Sequence, residues 1–336
     1  MADRNGDHRM VTSVTPQRLS FVGGGTDLPD YFSQLGGAVV STTIDKYIYV
    51  TLKRHSPLFG EAYRLSYSVT EHVDSLDDIQ NDIARECLRL VPVEPPLYMS
   101  TIADLPAFSG LGSSSSFAVG LLNALHALKG ETVSAGQLAE EACHVEIDVL
   151  KRPIGKQDQY AAAFGGLNLM TFHSEGSVSL EHLWLQNEGV RKLFESSLTF
   201  WTGIQRDADS ILHDQKQNIQ AKLSQLKLMT EQVSECRSLL LSGFDVTEFG
   251  RMLDQNWRLK RSLSSKISNS QIDAWYECAK EAGAIGGKLA GAGGGGFLFL
   301  IAPTELHQKI IDALPEMSLV TLNYEPRGSR ILQLGR

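Results

Sequence analysis

Segments rich in Val, Ile, Thr and Tyr, separated by Gly or Pro, fill much of the start of the chain. Such side chains pack well on a pleated surface, so this pattern favours β-strands. The segments are residues 10–15, 18–22, 38–44 and 47–53. Together they predict a largely antiparallel sheet.

After residue 75 the apolar positions recur every three to four residues, with strand-like segments between them. This spacing is typical of amphipathic helices. The predicted helices are 76–90, 113–128 and 134–150, and the predicted strands are 97–103, 166–172 and 177–183. The first half of the chain therefore combines a sheet with helices.

The second half opens on a strand at 198–202 and continues into a helical stretch rich in Gln, Lys and Leu, from 207 to 241. Further helices are predicted at 246–263, 271–282 and 304–314, and strands at 284–290, 296–302, 319–323 and 331–334. This mixture predicts a separate α+β layer. We place a soft boundary near residue 190, between an N-terminal domain, 1–190, and a C-terminal domain, 191–336.

The chain has 336 residues, with 31 Lys and Arg against 39 Asp and Glu, which gives a net charge of −8. Such a chain lacks the positive field that holds a nucleic-acid backbone, so nonspecific binding to DNA or RNA is disfavoured. A site for a small phosphorylated ligand is compatible with this charge, because backbone N–H groups can form it.

The sequence points to a cytoplasmic protein without a membrane partner. No apolar segment is long enough to span a bilayer, and the polar first ten residues do not resemble a secretory signal. The four cysteines are far apart and form no Cys-x-x-Cys pair, so neither a zinc site nor a disulfide framework is predicted.

The long helical stretch from residue 207 has two open alternatives: packing on the sheet, or contact with a second subunit in a homodimer.

The loop at residues 106–116 passes through Gly110 and Gly112 into four serines, and an apolar helix follows at once. Glycines let the backbone approach a phosphate, unpaired N–H groups of the first helical turn point at it, and serine hydroxyls can bond oxygens or ligate Mg²⁺. The alternative is a helix cap beside a flexible serine linker. A linker would not lead directly into a buried helix, so the order favours a phosphate site.

A second glycine cluster, at residues 291–296, matches the Gly-x-Gly-x-x-Gly pattern of dinucleotide-binding folds, but a strand-like segment follows it instead of a helix. This context excludes a dinucleotide fold, and no Walker-type phosphate loop occurs either. A tight turn between strands would need only two or three glycines. The excess predicts that another part of the chain packs closely against this backbone.

Two carboxylates, Glu146 and Asp158, lie on either side of a turn that contains Pro and Gly. Side chains so placed can converge, with one serving Mg²⁺ and the other a substrate hydroxyl, as phosphoryl transfer requires. The alternative is that both are solvated surface charges.

Three motifs, in this order and spread over nearly the whole chain, resemble those of the GHMP kinase superfamily, which includes galactokinases, homoserine kinases and mevalonate kinases. They are residues 15–27, 110–114 and 288–296. The resemblance implies an α+β, two-domain GHMP kinase fold, with an N-terminal ribosomal-protein-S5-like α/β domain and a C-terminal ferredoxin-like α+β domain. It also implies ATP-dependent phosphorylation of a small-molecule hydroxyl, with Mg²⁺ as the metal.

The resemblance further implies roles for individual residues. It places the nucleotide on Gly110, Gly112, Ser113, Ser114 and Ser115, and Mg²⁺ on Ser114 with Glu146. Asp158 matches the Asp of the family's Gly-x-x-Asp-Gln, which orients or deprotonates the attacking hydroxyl. Arg18 matches the basic residue of the first motif, which would stabilise the developing alkoxide.

Departures from the family pattern bear on the substrate. Where galactokinases have Gly-Glu-His-Thr-Asp, this chain has Gly-Gly-Gly-Thr-Asp at residues 23–27, so the Glu and His that contact the sugar there are absent. This variant, together with residues 201–208, resembles the heptose 7-phosphate kinase branch. That branch phosphorylates O1 of D-glycero-D-manno-heptose 7-phosphate, for GDP-heptose and surface polysaccharide synthesis.

On this interpretation the acceptor is a small-molecule sugar phosphate. The candidate substrate residues are Gly24, Gly25, Thr26, Asp27, Asp30 and Gly293. A phosphorylated acceptor also needs basic side chains near the reacting group, and the candidates are Lys156 and Arg206, with Arg152 behind them. The alternative for each basic residue is an exposed or ion-paired charge, and Asp30 has a second interpretation as a helix cap.

Two other functions stay open. One is a kinase of an unphosphorylated sugar such as fucose. The other is a non-catalytic sensor of sugar and nucleotide on the same scaffold, although the presence of Arg18, Glu146 and Asp158 argues against it.

Overall fold

The computed structural model describes residues 10–56, 58–107, 109–183, 187–205 and 208–333, which fold around two β-sheets. The strands are β1 (Met10–Val22), β2 (Gly37–Arg54), β3 (Tyr63–Ser66), β4 (Thr70–Val73), β5 (Leu97–Ala103), β6 (Leu167–Phe172), β7 (Val178–His182), β8 (Ser197–Trp201), β9 (Gly286–Leu289), β10 (Phe297–Ile301), β11 (Ser318–Leu319) and β12 (Arg330–Gln333).

Helices cover both sheets. The α-helices are α1 (Pro29–Leu35), α2 (Asp82–Leu90), α3 (Ser113–Lys129), α4 (Ala135–Cys143), α5 (Gln157–Phe164), α6 (Asn187–Glu195), α7 (Ala208–Asn218), α8 (Leu223–Ser242), α9 (Val246–Arg261), α10 (Ser270–Ala282) and α11 (His307–Ala313). A π-helical turn, His144–Val149, continues α4, and 3₁₀ turns lie at Leu76–Asp78, Gln220–Lys222 and Thr304–Leu306. Within the described ranges, none of these helices combines the length and apolar character needed to cross a membrane.

The first sheet has the strand order β12-β1-β2-β5-β3-β4, and β6 and β7 extend it from β2. Its described pairs are antiparallel apart from β3 with β5. The second sheet, β11-β8-β10-β9, is antiparallel. The prediction of a largely antiparallel sheet at the start of the chain is confirmed.

Strands β1 and β2 are each longer than the sequence pattern predicts, at 13 and 18 residues. Each unites two segments that we predict as separate strands. In β1 the pairing with β2 shifts register between Pro16 and Gln17. Proline is tolerated at such a bulge, where the ladder is interrupted. The proline that marks a break in the sequence therefore lies inside one continuous strand.

Helix α3 holds the serine-rich loop against the first sheet. Its largely apolar surface packs on β1, β2 and α5. Gly120 permits a close approach, because a Cβ there would lie 2.7 Å from Thr15 Oγ1. The loop before the helix is also bound to β1, since Arg18 N–H donates to the carbonyl of Leu111 at 3.0 Å. The start of α3 is thereby fixed beside Arg18.

An apolar cluster joins the two sheets and includes Phe21 of β1, Phe249 of α9 and Phe299 of β10. The rings of Phe21 and Phe249 meet edge to face, with centroids 5.3 Å apart. Residue 190 lies within α6, and the last strand, β12, returns to pair with β1. The domain boundary near residue 190 stays a prediction, but residues 330–333 belong to the first sheet.

Other differences from the sequence pattern concern short or broken elements. The helical stretch predicted at 207–241 is divided into α7, a 3₁₀ turn and α8, and the strand predicted at 319–323 is only Ser318–Leu319. Elements α1, α5, α6, β3 and β4 are not predicted. Helices α1 and α5 have seven and eight residues, too few for an apolar period to become visible.

Candidate active site

A cleft of about 710 Å³ lies where the end of β1 and the starts of α3 and α5 face α7 and α9. The predicted site residues that line it are Arg18, Gly25, Asp27, Gly110, Gly112, Ser113, Ser114, Ser115, Arg152 and Asp158. Glu146 lies behind this surface and is hydrogen-bonded to Ser114 and Ser115. The fold thus brings together residues that are up to 140 positions apart in the sequence.

The start of α3 presents backbone N–H groups to the cleft. The N-cap residue, Gly112, has a left-handed conformation with φ 79°, and no side chain caps the helix. Gly110 also has a positive φ, 81°. The first N–H groups of a helix have no partner within it, and together with the helix dipole they favour an anion. The predicted phosphate loop therefore has the geometry of an anion site.

The glycine cluster at 291–296 packs backbone to backbone on this loop. A Cβ on Gly291 would lie 2.5 Å from the carbonyl oxygen of Gly110, and one on Gly296 would lie 2.4 Å from that of Ser109. Neither distance leaves room for a side chain. The predicted close packing against the excess glycines is confirmed, and the neighbour is the phosphate loop itself.

Arg18 and Asp158 form a two-pronged ion pair in the cleft. Arg18 Nε donates to Asp158 Oδ1 at 2.7 Å, and Nη2 donates to Oδ2 at 2.8 Å. Arg18 Nη1 donates to the carbonyl of Gly110 at 2.7 Å. A planar guanidinium fixes a carboxylate in both position and orientation. Arg18 therefore sets the Asp158 carboxylate relative to the phosphate loop.

Glu146 is fully buried beneath the first turn of α3. One carboxylate oxygen accepts a hydrogen bond from Ser114, and the other accepts from Ser115 and from Gln159 Nε2, both at 2.7 Å. Burial raises the pKa of Glu146, although the serine hydroxyls and the nearby Arg152 oppose that shift. Arg152 Nη1 also donates to Ser114 Oγ, at 3.0 Å. Carboxylate and hydroxyl oxygens are the ligands that Mg²⁺ prefers.

Asp27 is held in a compact turn at the edge of the cleft. Its Oδ1 accepts from Gly25 N–H at 2.9 Å, and its Oδ2 accepts from Gln157 Nε2 at 2.9 Å. Burial raises the pKa of this carboxyl, and the charge of Asp158 adds to that shift. Gly155 makes room for it, because a Cβ there would lie 2.0 Å from Asp27 Oδ2.

Three predicted substrate residues, Gly24, Thr26 and Asp30, do not line the cleft. The Thr26 side chain is fully buried, and its hydroxyl bonds backbone carbonyls at 2.8 and 2.9 Å, which closes the turn. Asp30 lies in the first turn of α1 and pairs with Lys216 at 3.1 Å. Leu28, not Asp30, is the N-cap of that helix. The structure thus directs the side chains of Thr26 and Asp30 elsewhere, and the assignment of all three residues to the substrate stays a prediction.

Lys156 and Gly293 also lie outside the cleft lining. Lys156 Nζ donates to the carbonyl of Gly176 at 2.8 Å, at the turn between β6 and β7. Gly293 packs on Ile267, whose carbonyl oxygen would be 2.6 Å from a Cβ at that position. The substrate roles of these two residues stay predictions that this arrangement does not support. Arg206 lies outside the described residues.

Lys260 is a cleft residue that the sequence analysis missed. It lies in the last turn of α9, is 4% exposed, and its Nζ would be 3.5 Å from a Cβ on Gly24. Burial lowers the pKa of Lys260 to about 8. Its neighbours Arg258 and Arg261 make it look like an ordinary helix-terminal charge, so no local signal in the sequence marks it.

Lys288, in the third motif, is buried away from the cleft. Its Nζ donates to the carbonyls of Ser20 and Phe21 at 2.8 and 3.1 Å. Burial holds the pKa of Lys288 well below its ordinary value. The side chain therefore ties β9, and with it the glycine cluster, to the end of β1.

Comparisons with known proteins show the family of the chain. The family model for the GHMP kinases N terminal domain matches residues 79–166, and the model for the GHMP kinases C terminal matches residues 233–318. The chain is 30% identical to D-glycero-alpha-D-manno-heptose 7-phosphate kinase of Campylobacter jejuni, over 91% of this chain and 93% of that protein. It is 25% identical to the L-fucokinase/L-fucose-1-P guanylyltransferase of Bacteroides fragilis, over 88% of this chain and 35% of that protein.

The fold is also similar to that of solved structures. A D-glycero-D-manno-heptose 1-phosphate kinase from Bacteroides thetaiotaomicron superposes with a TM-score of 0.81 at 24% identity, over 97% of this chain and 100% of that one. The two-domain α+β fold that the motifs imply is thereby confirmed. Together with the two family models, this places the chain among the GHMP kinases, as a phosphotransferase with an alcohol group as acceptor.

Proposed function

We propose that this protein transfers the terminal phosphoryl group of ATP to O1 of D-glycero-D-manno-heptose 7-phosphate, which yields the 1,7-bisphosphate for GDP-heptose and surface polysaccharide synthesis. The observation that carries the proposal is the Arg18–Asp158 pair beside the uncapped start of α3, in one cleft. The named activity of the Campylobacter jejuni relative supports the choice of heptose.

The residues of the cleft fit a magnesium nucleotide. Gly110, Gly112 and the N–H groups of residues 113–115 would hold its phosphates, because an uncapped helix start in a cleft is suited to anions. Ser114 and Glu146 would hold Mg²⁺, since they supply hydroxyl and carboxylate oxygens at one point. When bound, the nucleotide supplies the phosphoryl group and the metal neutralises charge on it.

Asp158 would orient the acceptor hydroxyl and accept its proton. Its carboxylate faces the cleft with 23% of the side chain exposed, and the two hydrogen bonds from Arg18 fix its direction. Arg18 would stabilise the negative charge that develops on the acceptor oxygen. Such catalysis depends on placement and charge rather than on covalent chemistry by the protein.

The preference of the enzyme for one acceptor sugar over others tests the proposal. We expect the purified protein to release ADP with D-glycero-D-manno-heptose 7-phosphate and MgATP at a kcat/KM roughly 100-fold above that for the unphosphorylated heptose, L-fucose or galactose. A coupled ADP assay over this panel measures the ratio, and phosphorus NMR of the product identifies the carbon that is phosphorylated.

Two outcomes of this assay would contradict the proposal. Preference for L-fucose would favour a kinase of an unphosphorylated sugar, an alternative supported by the identity to the Bacteroides fragilis fucokinase. Absence of turnover with the whole panel, while ATP still binds, would favour a non-catalytic sensor. Separate α and β anomers of the heptose phosphate show which form reacts.

Glu146→Gln tests the proposed metal site. The substitution keeps the side-chain shape but removes the buried negative charge, so we expect kcat to fall roughly 100-fold and the Mg²⁺ requirement to rise. The measurement is turnover as a function of free Mg²⁺ at fixed ATP. Glu141→Gln is the matched control, because Glu141 bonds His126 and Gln137 outside the cleft. An unchanged Mg²⁺ dependence in Glu146→Gln would exclude Glu146 as a ligand.

Three further predictions concern the location of the protein, the number of its subunits and its domain boundary. We keep the cytoplasmic location, the homodimer and the domain boundary near residue 190 as predictions. Size-exclusion chromatography with light scattering measures the number of subunits directly.

A further inference from the structure

Lys260 is a buried cation without a counter-ion in the described part of the chain. Its Nζ donates to the carbonyl of Gly291 at 2.6 Å, and no described carboxylate lies within ion-pairing distance. An ammonium group has three donors, so two remain for a ligand. The side chain lines the cleft. A buried charge without a partner is costly, and such a group is stabilised when an anion binds beside it.

The charged groups around Lys260 do not satisfy it. Asp27 and Asp158 attract the ammonium, while Arg18 repels it and is in turn paired with Asp158. Asp27 is already engaged by Gly25 N–H and by Gln157. Lys288, buried behind the cleft, is a second amine that interacts unfavourably with Lys260 and supplies no negative charge. At neutral pH Lys260 stays mostly protonated, because burial lowers its pKa only to about 8.

Gln215 supplies a second unsatisfied donor at the same place. It is 2% exposed, lines the cleft, and its Nε2 has no hydrogen-bond partner among the described residues. A Cβ on Gly25 would lie 2.4 Å from this nitrogen, and a Cβ on Gly24 would lie 3.5 Å from Lys260 Nζ. Both donors therefore flank one short turn. The absence of side chains at residues 24 and 25 keeps the space beside them open.

Gln157 completes the group as an acceptor. Its Nε2 donates to Asp27, and its Oε1 is buried without a hydrogen-bond partner in the described ranges. A Cβ on Gly24 would lie 3.9 Å from Gln157 Nε2 and 3.5 Å from Lys260 Nζ, so this amide belongs to the same group. Its free oxygen suits a sugar hydroxyl next to a phosphate. The three side chains come from α5, α7 and α9, so the site forms only when both halves of the chain meet.

Other cations near the cleft are already committed. Arg18 is bound to Asp158 and to a loop carbonyl. Arg152 is bound to Ser114 and to Asp82, whose carboxylate is 3.0 Å away. Lys156 is directed to the turn at Gly176. Among the described residues that line the cleft, Lys260 is the cation without a carboxylate partner, since Arg18 is paired with Asp158 and Arg152 with Asp82.

We propose that Lys260 and Gln215 bind the phosphate group that the acceptor sugar itself carries, with Gln157 accepting a neighbouring hydroxyl. The proposal rests on the proposed function, since it names the residues that make this kinase select a phosphorylated acceptor. It assigns that role to α7 and α9, in place of Lys156.

Lys260→Met tests the assignment by binding rather than by turnover. We expect its Kd for D-glycero-D-manno-heptose 7-phosphate, measured by calorimetry in the presence of ADP, to rise roughly 10- to 100-fold. The Kd for the unphosphorylated heptose should stay within roughly threefold of wild type, because that sugar has no anion for Lys260. Gln215→Leu should give a smaller change in the same direction. Lys227→Met, at an exposed position on α8, is the matched control.

The pH dependence of binding gives a second readout. A sugar phosphate is almost fully dianionic above pH 7, since its second pKa is near 6. Wild-type affinity should therefore fall as the pH rises through about 8, where free Lys260 loses its proton. Lys260→Arg keeps the charge at every pH in this range, so its affinity should stay flat up to roughly pH 9.5.

The outcomes separate this inference from the proposed function. If Lys260→Met loses affinity equally for both sugars, Lys260 does not recognise the sugar's phosphate. If sugar binding is unchanged and kcat is lowered, Lys260 acts on the transferred phosphoryl group instead. Either result overturns the inference while wild-type turnover of the heptose phosphate stands. If the wild-type protein turns over no heptose phosphate, the proposed function itself fails. Circular dichroism confirms that each variant is folded.

Discussion

Asp158→Asn is expected to lower kcat by roughly 10²- to 10⁴-fold, the range that a positioned acid–base group contributes. Asparagine keeps the shape of the side chain and one acceptor oxygen, but it has no charge and cannot take the proton of the acceptor hydroxyl. Arg18 already holds the Asp158 carboxylate in position, through hydrogen bonds of 2.7 and 2.8 Å. The substitution therefore removes the charge and the proton acceptor from a fixed position. Steady-state turnover with the heptose phosphate measures the effect.

A matched variant separates catalysis from folding. Asp148→Asn removes a carboxylate that is 66% exposed and paired with His144, and it should leave turnover unchanged. The ATP Kd of Asp158→Asn should stay within roughly threefold of wild type, because the nucleotide loop is built from backbone groups. Because the substitution also takes a partner from Arg18, the melting temperature is measured alongside. Folded Asp158→Asn with turnover within roughly tenfold of wild type would remove Asp158 from the proposed mechanism.

The sequence predicted the parts of this cleft that depend on backbone shape. Gly110, Gly112 and the glycines at 291–296 are recognisable because each has either a positive φ, which disfavours a side chain, or a backbone contact too close for a Cβ. Arg18 and Asp158 are recognisable because they lie next to such motifs. A run of glycines, or a turn beside a carboxylate, is a pattern of neighbouring residues. Such patterns are visible in the sequence without knowledge of the fold.

Other residues of the site could not be placed from the sequence, because their positions depend on side-chain orientation and on contacts between distant helices. Lys156 is two positions from Asp158, yet its side chain leaves the cleft toward Gly176, because successive side chains at a helix start point different ways. Lys260 and Gln215 come from helices far along the chain, and their own neighbours in sequence give no hint that they meet.

Two further differences, the length of β1 and the contacts of Thr26, also arise from the neighbouring strand. Pro16 indicates a break between strands, but a register shift absorbs it and β1 continues for 13 residues. Thr26 stands in a motif typical of substrate contacts, whereas its hydroxyl is bound to two backbone carbonyls. In both cases the outcome depends on β2, which pairs with β1 across the register shift and supplies the Ala38 carbonyl to Thr26.

Gly291→Ala is expected to damage both the fold and the nucleotide site. The new Cβ would lie 2.5 Å from Gly110 O and 2.6 Å from Gly110 Cα, and backbone atoms cannot turn aside as a flexible side chain can. Alanine at φ 67° adds a conformational cost of about 1–2 kcal/mol, and overpacking adds about 1–3 kcal/mol. We expect the free energy of unfolding to fall by about 3 kcal/mol and ATP affinity to fall roughly tenfold or more.

Gly203→Ala isolates the cost of the backbone conformation from that of the collision. Gly203 has φ 72°, close to that of Gly291, but nothing lies within 4 Å of a Cβ there. It should therefore lose about 1–2 kcal/mol of stability and keep the wild-type ATP affinity. Denaturant unfolding and calorimetry with ATP measure the two quantities for both variants. If Gly291→Ala behaves like Gly203→Ala in both, the glycine cluster does not support the phosphate loop, because a displaced loop must change the binding of a ligand held by its N–H groups.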